Sequence, residues 1–292
     1  MFYIFLSICC CVTVSVLLKL AKRYEINVAH AVVWNYLVAA GLAGAIYKPT
    51  VGVVMKNGSL WGLYILLGIL LPLLFVFLGR SVRYTGIVRT ELAQRLSLFI
   101  PLLVSFSLFG EALSVVKLIG AALGFVAILF TVSRSKAKVP VSIVKEWTWL
   151  YPLIVFFGMG VIDVLFRQLA VYQTIPYTTS LFVVLSLAFL FSVSTFLIAF
   201  AFKKTRFNMV NFFCGLLLGL FNFGNILFYL KAHRAISSNP SIVFSAMNIG
   251  VIVAGTFVGV ALFRERLTLI NKIGIVLALA AILLISFSGK IL

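Results

Sequence analysis

Leu108-Phe109-Gly110-Glu111-Ala112-Leu113 returns 154 residues later as Leu262-Phe263-Arg264-Glu265-Arg266-Leu267, and the reading of that pair decides the fold. Each copy then passes a glycine, Gly120 or Gly274, and closes on Ala-Ile-Leu at 127–129 or 281–283. Ten positions are identical between 108–130 and 262–284 at this one offset. Apolar membrane segments resemble one another through composition alone, so the Leu-Phe-x-Glu-x-Leu match at a hydrophobic boundary carries more weight than the Ala, Ile and Leu identities. The pair reads as an internal duplication.

The surrounding sequence is nearly continuous apolar helix. With 63% hydrophobic and 10% charged residues and a mean hydropathy of +1.21, the chain lacks the polar surface a water-soluble domain of 292 residues needs. Runs of about 20 apolar residues, each able to cross roughly 30 Å of hydrocarbon as a helix, recur from end to end. Bounded by charge or turn residues, they give ten candidate spans: 2–21, 28–47, 60–79, 85–108, 113–132, 148–171, 176–202, 210–232, 238–262 and 268–288. The first run has no basic segment before Phe2 and no small-residue cleavage site after it, so it is expected to be a retained span rather than a secretory signal. Cys9, Cys10, Cys11 and Cys214 lie within spans and offer neither a disulfide framework nor a metal pattern. Their expected role is packing.

A formal charge of +18 would suggest nucleic acid in a soluble protein. Here the bases sit in short connections, where they orient a membrane protein, and no nucleic-acid partner is expected. Thirteen lysines and arginines follow spans 1, 3, 5, 7 and 9, against six on the other side. The positive-inside rule then makes the richer side cytoplasmic and turns both termini outward. The expected location is the plasma (inner) membrane.

The longest polar stretch, Ser133 to Glu146, divides the chain almost in half. The expected organisation is a first five-helix repeat over 1–132, a basic linker over 133–147 and a second five-helix repeat over 148–292. An odd number of spans forces the second copy to enter the membrane from the opposite side. The expected fold class is therefore an all-α polytopic membrane protein of ten transmembrane helices in two inverted repeats, an arrangement that exposes one midplane site alternately to either side. The first spans of the halves also align, Val16-Leu17-Leu18-Lys19 with Val164-Leu165-Phe166-Arg167, and Tyr24 and Tyr172 follow at the same interval.

Taken together, the ten spans, the two halves, the Glu-x-Leu boundaries at Glu111 and Glu265 and the Gly-containing closing helices resemble the EamA-like branch of the drug/metabolite transporter superfamily. The resemblance rests mainly on Pro101 to Phe130 and Ser241 to Leu284. It implies export of amino acids, other metabolites or toxic compounds, driven by a proton gradient or by exchange. The chain departs from the family's pattern where Gly255 stands in place of a second proline matching Pro101. The family's cytoplasmic termini also run against the charge count.

A charge at the bilayer centre costs about 2.5–3.5 kcal/mol on insertion scales, so ionisable residues within spans are functional candidates. Five stand out: Lys19, Glu91, Arg95, Asp163 and Arg167. Glu91 with Arg95 and Asp163 with Arg167 are each four apart, on one helix face, and either neutralise themselves as structural pairs or line a watery cavity. Gln94 falls opposite Asn248 in the repeat frame, one amide from each half. Asn222, Asn225 and Tyr229 share a face of the eighth span and supply neutral donors and acceptors to the same cavity, or hydrogen-bond between helices. Glu111 and Glu265 sit at span ends, where capping or boundary roles are expected. Trp34 and Asn35 are placed toward the cavity, and Trp61, Trp147 and Trp149 at the interfacial belt. His30 and His233 are isolated, and no metal or cofactor is expected.

These residues are expected to bind a small metabolite, such as an amino acid, in a secondary active transporter that uses protons as a coupling ion. The three bases among five intramembrane charges lean the expected substrate toward a carboxylate. The alternative is an integral-membrane enzyme acting on a lipid or polyprenyl substrate. That chemistry usually needs clustered carboxylates or a His-Asp set. With six acids in the chain and no two adjacent, an enzyme is not expected.

Overall fold

The computed structural model describes residues 2–50, 52, 54, 60–101, 103–104, 115–132, 148–171, 175–202, 207–235 and 240–287. Among these residues all regular structure is helical, in ten helices of ten residues or more. They are α1 (Phe2–Arg23), α2 (Val28–Tyr47), α3 (Trp61–Thr85), α4 (Ile87–Leu96), α5 (Val115–Val132), α6 (Leu150–Val171), α7 (Tyr177–Ala201), α8 (Met209–Ala235), α9 (Pro240–Ala261) and α10 (Leu269–Phe287). Six of them, α1, α2, α3, α6, α7 and α8, are long and apolar enough to cross a membrane. Large apolar side chains face outward along them and their neighbours, among them Phe2, Leu197, Phe213, Phe257 and Val276. A soluble protein would pay for that surface in water. The chain is a multi-pass helical membrane protein.

The helices pack in a regular order. α2 lies against α7 and α8, α3 against α6 and α7, α1 against α8 and α9, α4 against α6 and α9, and α5 against α10. Small residues set the closest approach: a Cβ on Gly215 of α8 would collide with the Ala31 carbonyl of α2, and one on Gly219 would come within 2.7 Å of the Asn35 carbonyl. Two glycines four apart let two backbones meet in lipid, where van der Waals contact takes over from the hydrophobic effect as the force between helices. Asn222 continues the same face and donates from Nδ2 to Asn35 Oδ1 at 3.2 Å.

The fourth expected span differs from the structure. α3 runs on to Thr85, so Arg80 and Arg83 lie in the helix rather than in a connection, and the chain reverses at one residue, Gly86, with φ +99°. Only glycine takes that conformation without strain. Thr90 Oγ1 donates to the Gly86 carbonyl at 2.8 Å and lies 2.8 Å from Ser81 Oγ, tying the corner together. α4 then stops at Leu96 instead of continuing unbroken to 108, and helical backbone resumes at 99–101. Pro101 explains the interruption. It has no N–H for the Ser97 carbonyl four residues back, and that carbonyl instead accepts from Ile100 N at 2.9 Å in a tighter turn.

The Glu111 boundary motif, the 133–147 linker, Trp147, Tyr172 and Lys203, Lys204 and Arg206 lie outside the described residues.

Candidate functional site

α4, α6, α7, α8 and α9 enclose a cavity of about 460 Å³. Its polar wall consists of Gln94 and Arg95 from α4, Asp163 from α6, Tyr177 from α7, Asn225 and Tyr229 from α8 and Asn248 from α9. Six of the ten residues singled out in the sequence therefore meet around one space, and Gln94 and Asn248, the amides paired by the repeat frame, are both among them. A smaller cavity of about 150 Å³ adjoins it, sharing Gln94, Met159, Phe166, Leu181, Asn225 and Ile226. Asn222 lines this second space together with Cys11, Ser15 and Tyr36 and the apolar Val14, Leu74, Phe75, Leu78 and Ile162.

Arg95 is the centre of the wiring. Its Nη2 donates to Cys11 Sγ at 2.8 Å and lies 3.8 Å from Glu91 Oε2, while Nε is buried without a hydrogen-bond partner among the described residues. The i,i+4 pairing of Glu91 with Arg95 thus forms. Glu91 itself is sealed behind the wall: it accepts from Ser15 Oγ of α1, and a Cβ on Gly255 of α9 would sit 3.2 Å from its Cγ. A Cβ at this position, where the repeat would put a proline, would press on the Glu91 side chain. Glu91 lines neither cavity.

The equivalent spacing in α6 behaves differently. Asp163 accepts one long hydrogen bond from Ser97 Oγ at 3.4 Å and reaches neither Arg167 nor Arg95 within ion-pair distance. Arg167 lines neither cavity, so the expected Asp163–Arg167 pair is corrected. Asn225 Oδ1 accepts from Ser7 Oγ at 2.7 Å, and Tyr229 packs edge-on against His233 with ring centres 4.6 Å apart.

Lys19 is also corrected, because it belongs to the far end of the bundle. Its Nζ lies 3.1 Å from Glu265 Oε1, and Glu265 in turn accepts from the backbone N–H of Ile87 at 2.7 Å and of Val88 at 3.2 Å. One carboxylate thereby caps α4 and ties it to α1 and to the α9–α10 connection. Capping is what the sequence suggested for Glu265, but the capped helix lies 178 residues away rather than next in the chain. A carboxylate there satisfies two orphan N–H groups and the positive end of the helix. The same end holds Asn27, whose N–H donates to Asn211 Oδ1 at 3.0 Å. Tyr229 stands eighteen residues farther along α8, or about 27 Å at 1.5 Å per residue. The wall of the cavity thus runs from Gln94 and Arg95, about 11–12 Å along α4 from the capped Ile87, to Tyr229, away from the Lys19–Glu265 contact.

With Lys19 and Arg167 off the wall, the excess of bases disappears: among the described residues one base, Arg95, and one acid, Asp163, line the cavity. Trp34 also lies elsewhere than expected, packed edge-on against Phe212 and Phe207. Ser97, Tyr177 and Cys11 were not among the sequence candidates. No local spacing marks them, since each enters through the partner it meets across the bundle.

No family model matches the sequence. An uncharacterized protein of Haemophilus influenzae is 36% identical to it over 293 residues, covering 98% of both chains. Identity at that level along nearly the whole length of both sequences means that this chain belongs to the same family as the Haemophilus influenzae protein.

Proposed function

We propose that the protein is a secondary active transporter, an exporter of a small metabolite such as an amino acid, with its substrate site in the 460 Å³ cavity and two inverted five-helix repeats around it. The carrying observation is the convergence of Gln94, Arg95, Asp163, Asn225, Tyr229 and Asn248, from four helices in both halves of the chain, on one space inside an apolar bundle. Polar groups are expensive at that depth unless they serve water, a solute or one another.

Two further observations support the repeats and the mechanism. Advancing every helix by five maps α2–α8 packing onto α3–α7, α1–α8 onto α3–α6, and α1–α9 onto α4–α6, while α2–α7, α4–α9 and α5–α10 map onto themselves. The Lys19–Glu265–α4 contact ties α1, α4 and the α9–α10 connection together on the side of the cavity away from Tyr229. In an alternating cycle that contact breaks as the cavity end closes, and a substrate contributes by binding the two arrangements unequally. Asp163, the one carboxylate on the wall, is the group that exchanges a proton with the cavity. On this reading the boundary motifs make the chain an EamA-like member of the drug/metabolite transporter superfamily, its place is the inner membrane, and the charge count turns both termini outward.

Flux into proteoliposomes, with and without an imposed pH gradient, tests the proposal. Saturable, gradient-dependent movement of an amino acid or related metabolite is the expected result. If no metabolite in a broad panel moves, and neither Glu91→Gln nor Asp163→Asn changes any flux, the transporter reading is wrong.

A further inference from the structure

The two adjoining cavities differ in chemistry, and the difference specifies a ligand. We propose that the site takes a zwitterionic α-amino acid with an uncharged, apolar side chain about the size of isobutyl or phenyl: the carboxylate on Arg95, the ammonium on Asp163, and the side chain in the smaller cavity. This rests on the larger cavity being the transport site.

Arg95 and Asp163 face one space without closing on each other. Among the described residues the hydrogen bond and the ion pair of Arg95 both run through Nη2, and Nε is buried, which leaves the Nη1 donors for a carboxylate. Asp163 holds a single long hydrogen bond from Ser97. A ligand carrying both charges a few ångströms apart engages both groups at once, whereas an amine alone adds no acceptor to Arg95 beyond its contact with Glu91 and a carboxylate alone leaves Asp163 with only the Ser97 hydrogen bond. The inner space adds the side-chain term. At about 150 Å³, it matches the size at which a protein cavity holds a benzene ring, and its wall joins the apolar Val14, Leu74, Phe75, Leu78 and Ile162 to the neutral Ser15, Tyr36 and Asn222, with no charged side chain among the described residues. Aspartate, glutamate and lysine would bury a further charge there with no counter-ion on the wall. Glycine and alanine would leave it unfilled.

The test is equilibrium binding to the full-length protein in nanodiscs, by calorimetry, with phenylalanine, leucine, alanine, glutamate, phenethylamine and 3-phenylpropionate as probes. Phenylalanine and leucine are expected to bind about tenfold to a hundredfold more tightly than alanine. Phenethylamine and 3-phenylpropionate, each missing one charge, are expected to lose at least about tenfold against phenylalanine. Leu74→Trp, which fills the inner space, is expected to erase the preference over alanine while alanine binding persists. Asp163→Asn is expected to bring phenylalanine and 3-phenylpropionate to similar affinity. Equal affinity of phenethylamine and phenylalanine overturns the zwitterion assignment, and equal affinity of alanine and leucine overturns the side-chain assignment. If another metabolite is transported while all six probes fail to bind, this inference falls and the transporter reading stands. If nothing in the flux panel moves, both fall.

Discussion

Replacing Glu265 by alanine removes one carboxylate and three contacts together, and the structure sets the size of the loss. Two backbone N–H groups at the start of α4 lose an acceptor at 2.7 and 3.2 Å, and Lys19 loses a partner at 3.1 Å. The side chains are largely enclosed, with 11% of Glu265 and 20% of Lys19 exposed, so water replaces the lost contacts only in part. Loss of a helix cap costs about 0.5–2 kcal/mol, and hydrogen bonds to charged groups lie at the upper end of the range. About 2 kcal/mol is assigned to the cap and about 1 kcal/mol to the ion pair, for a total of about 3 kcal/mol. Glu265→Gln keeps a neutral acceptor and is expected to lose about half of that. Lys19→Met alone is expected to cost about 1 kcal/mol, and the double variant about 3 kcal/mol rather than 4, a coupling of about 1 kcal/mol. The assay is reversible unfolding in mixed micelles, titrated with dodecyl sulfate and followed by tryptophan fluorescence. A Glu265→Ala loss below about 1 kcal/mol, or a coupling indistinguishable from zero, would refute the reasoning.

Gly215→Val places a branched side chain against the Ala31 carbonyl and should cost about 3 kcal/mol or abolish the monodisperse fraction in gel filtration, whereas Gly41→Ala, whose Cβ meets nothing within 4 Å, should leave that fraction unchanged. Asp163→Asn removes the one carboxylate that the described residues place on the cavity wall, and the flux that remains in proteoliposomes should no longer respond to an imposed pH gradient. Trp34→Leu removes ring packing against Phe207 and Phe212, away from both cavities, and transport should stay within about twofold of the native protein at equal reconstituted amounts.

Where long apolar runs meet charge or turn residues, the sequence was a good guide to helix ends: α1, α2, α6, α7, α8, α9 and α10 begin and end within three residues of their expected bounds. The corner between α3 and α4 escaped it, because Arg80 and Arg83 look like loop residues while Gly86 provides the turn on its own. Pro101 was visible, but its effect depends on which amide takes up the Ser97 carbonyl, a matter of local backbone geometry. At the site, the i,i+4 contact of Glu91 with Arg95 was legible, and Gln94 and Asn248, related by the repeat offset, line the same cavity. Lys19 was misread because its partner, Glu265, lies 246 residues farther along the chain. Asp163 and Arg167 share the spacing of Glu91 and Arg95 without forming their pair, since a shared helix face brings charges near but the surrounding helices decide which contacts close. Composition counted all the intramembrane bases equally. Only the fold separates a base on the cavity wall from one paired with the carboxylate that caps α4.

The central claim is that one polar cavity is reached from the two sides of the membrane in turn. Its most direct test is Asn225→Cys in a cysteine-free protein, labelled from each side of oriented vesicles with a membrane-impermeant thiol reagent. A second arm carries Lys19→Cys and Glu265→Cys joined by a bifunctional cross-linker before labelling. The account predicts that the uncross-linked protein is labelled from both sides, and that cross-linking abolishes labelling from the Lys19–Glu265 side alone. Labelling from both sides after cross-linking, or from neither side before it, would contradict the account.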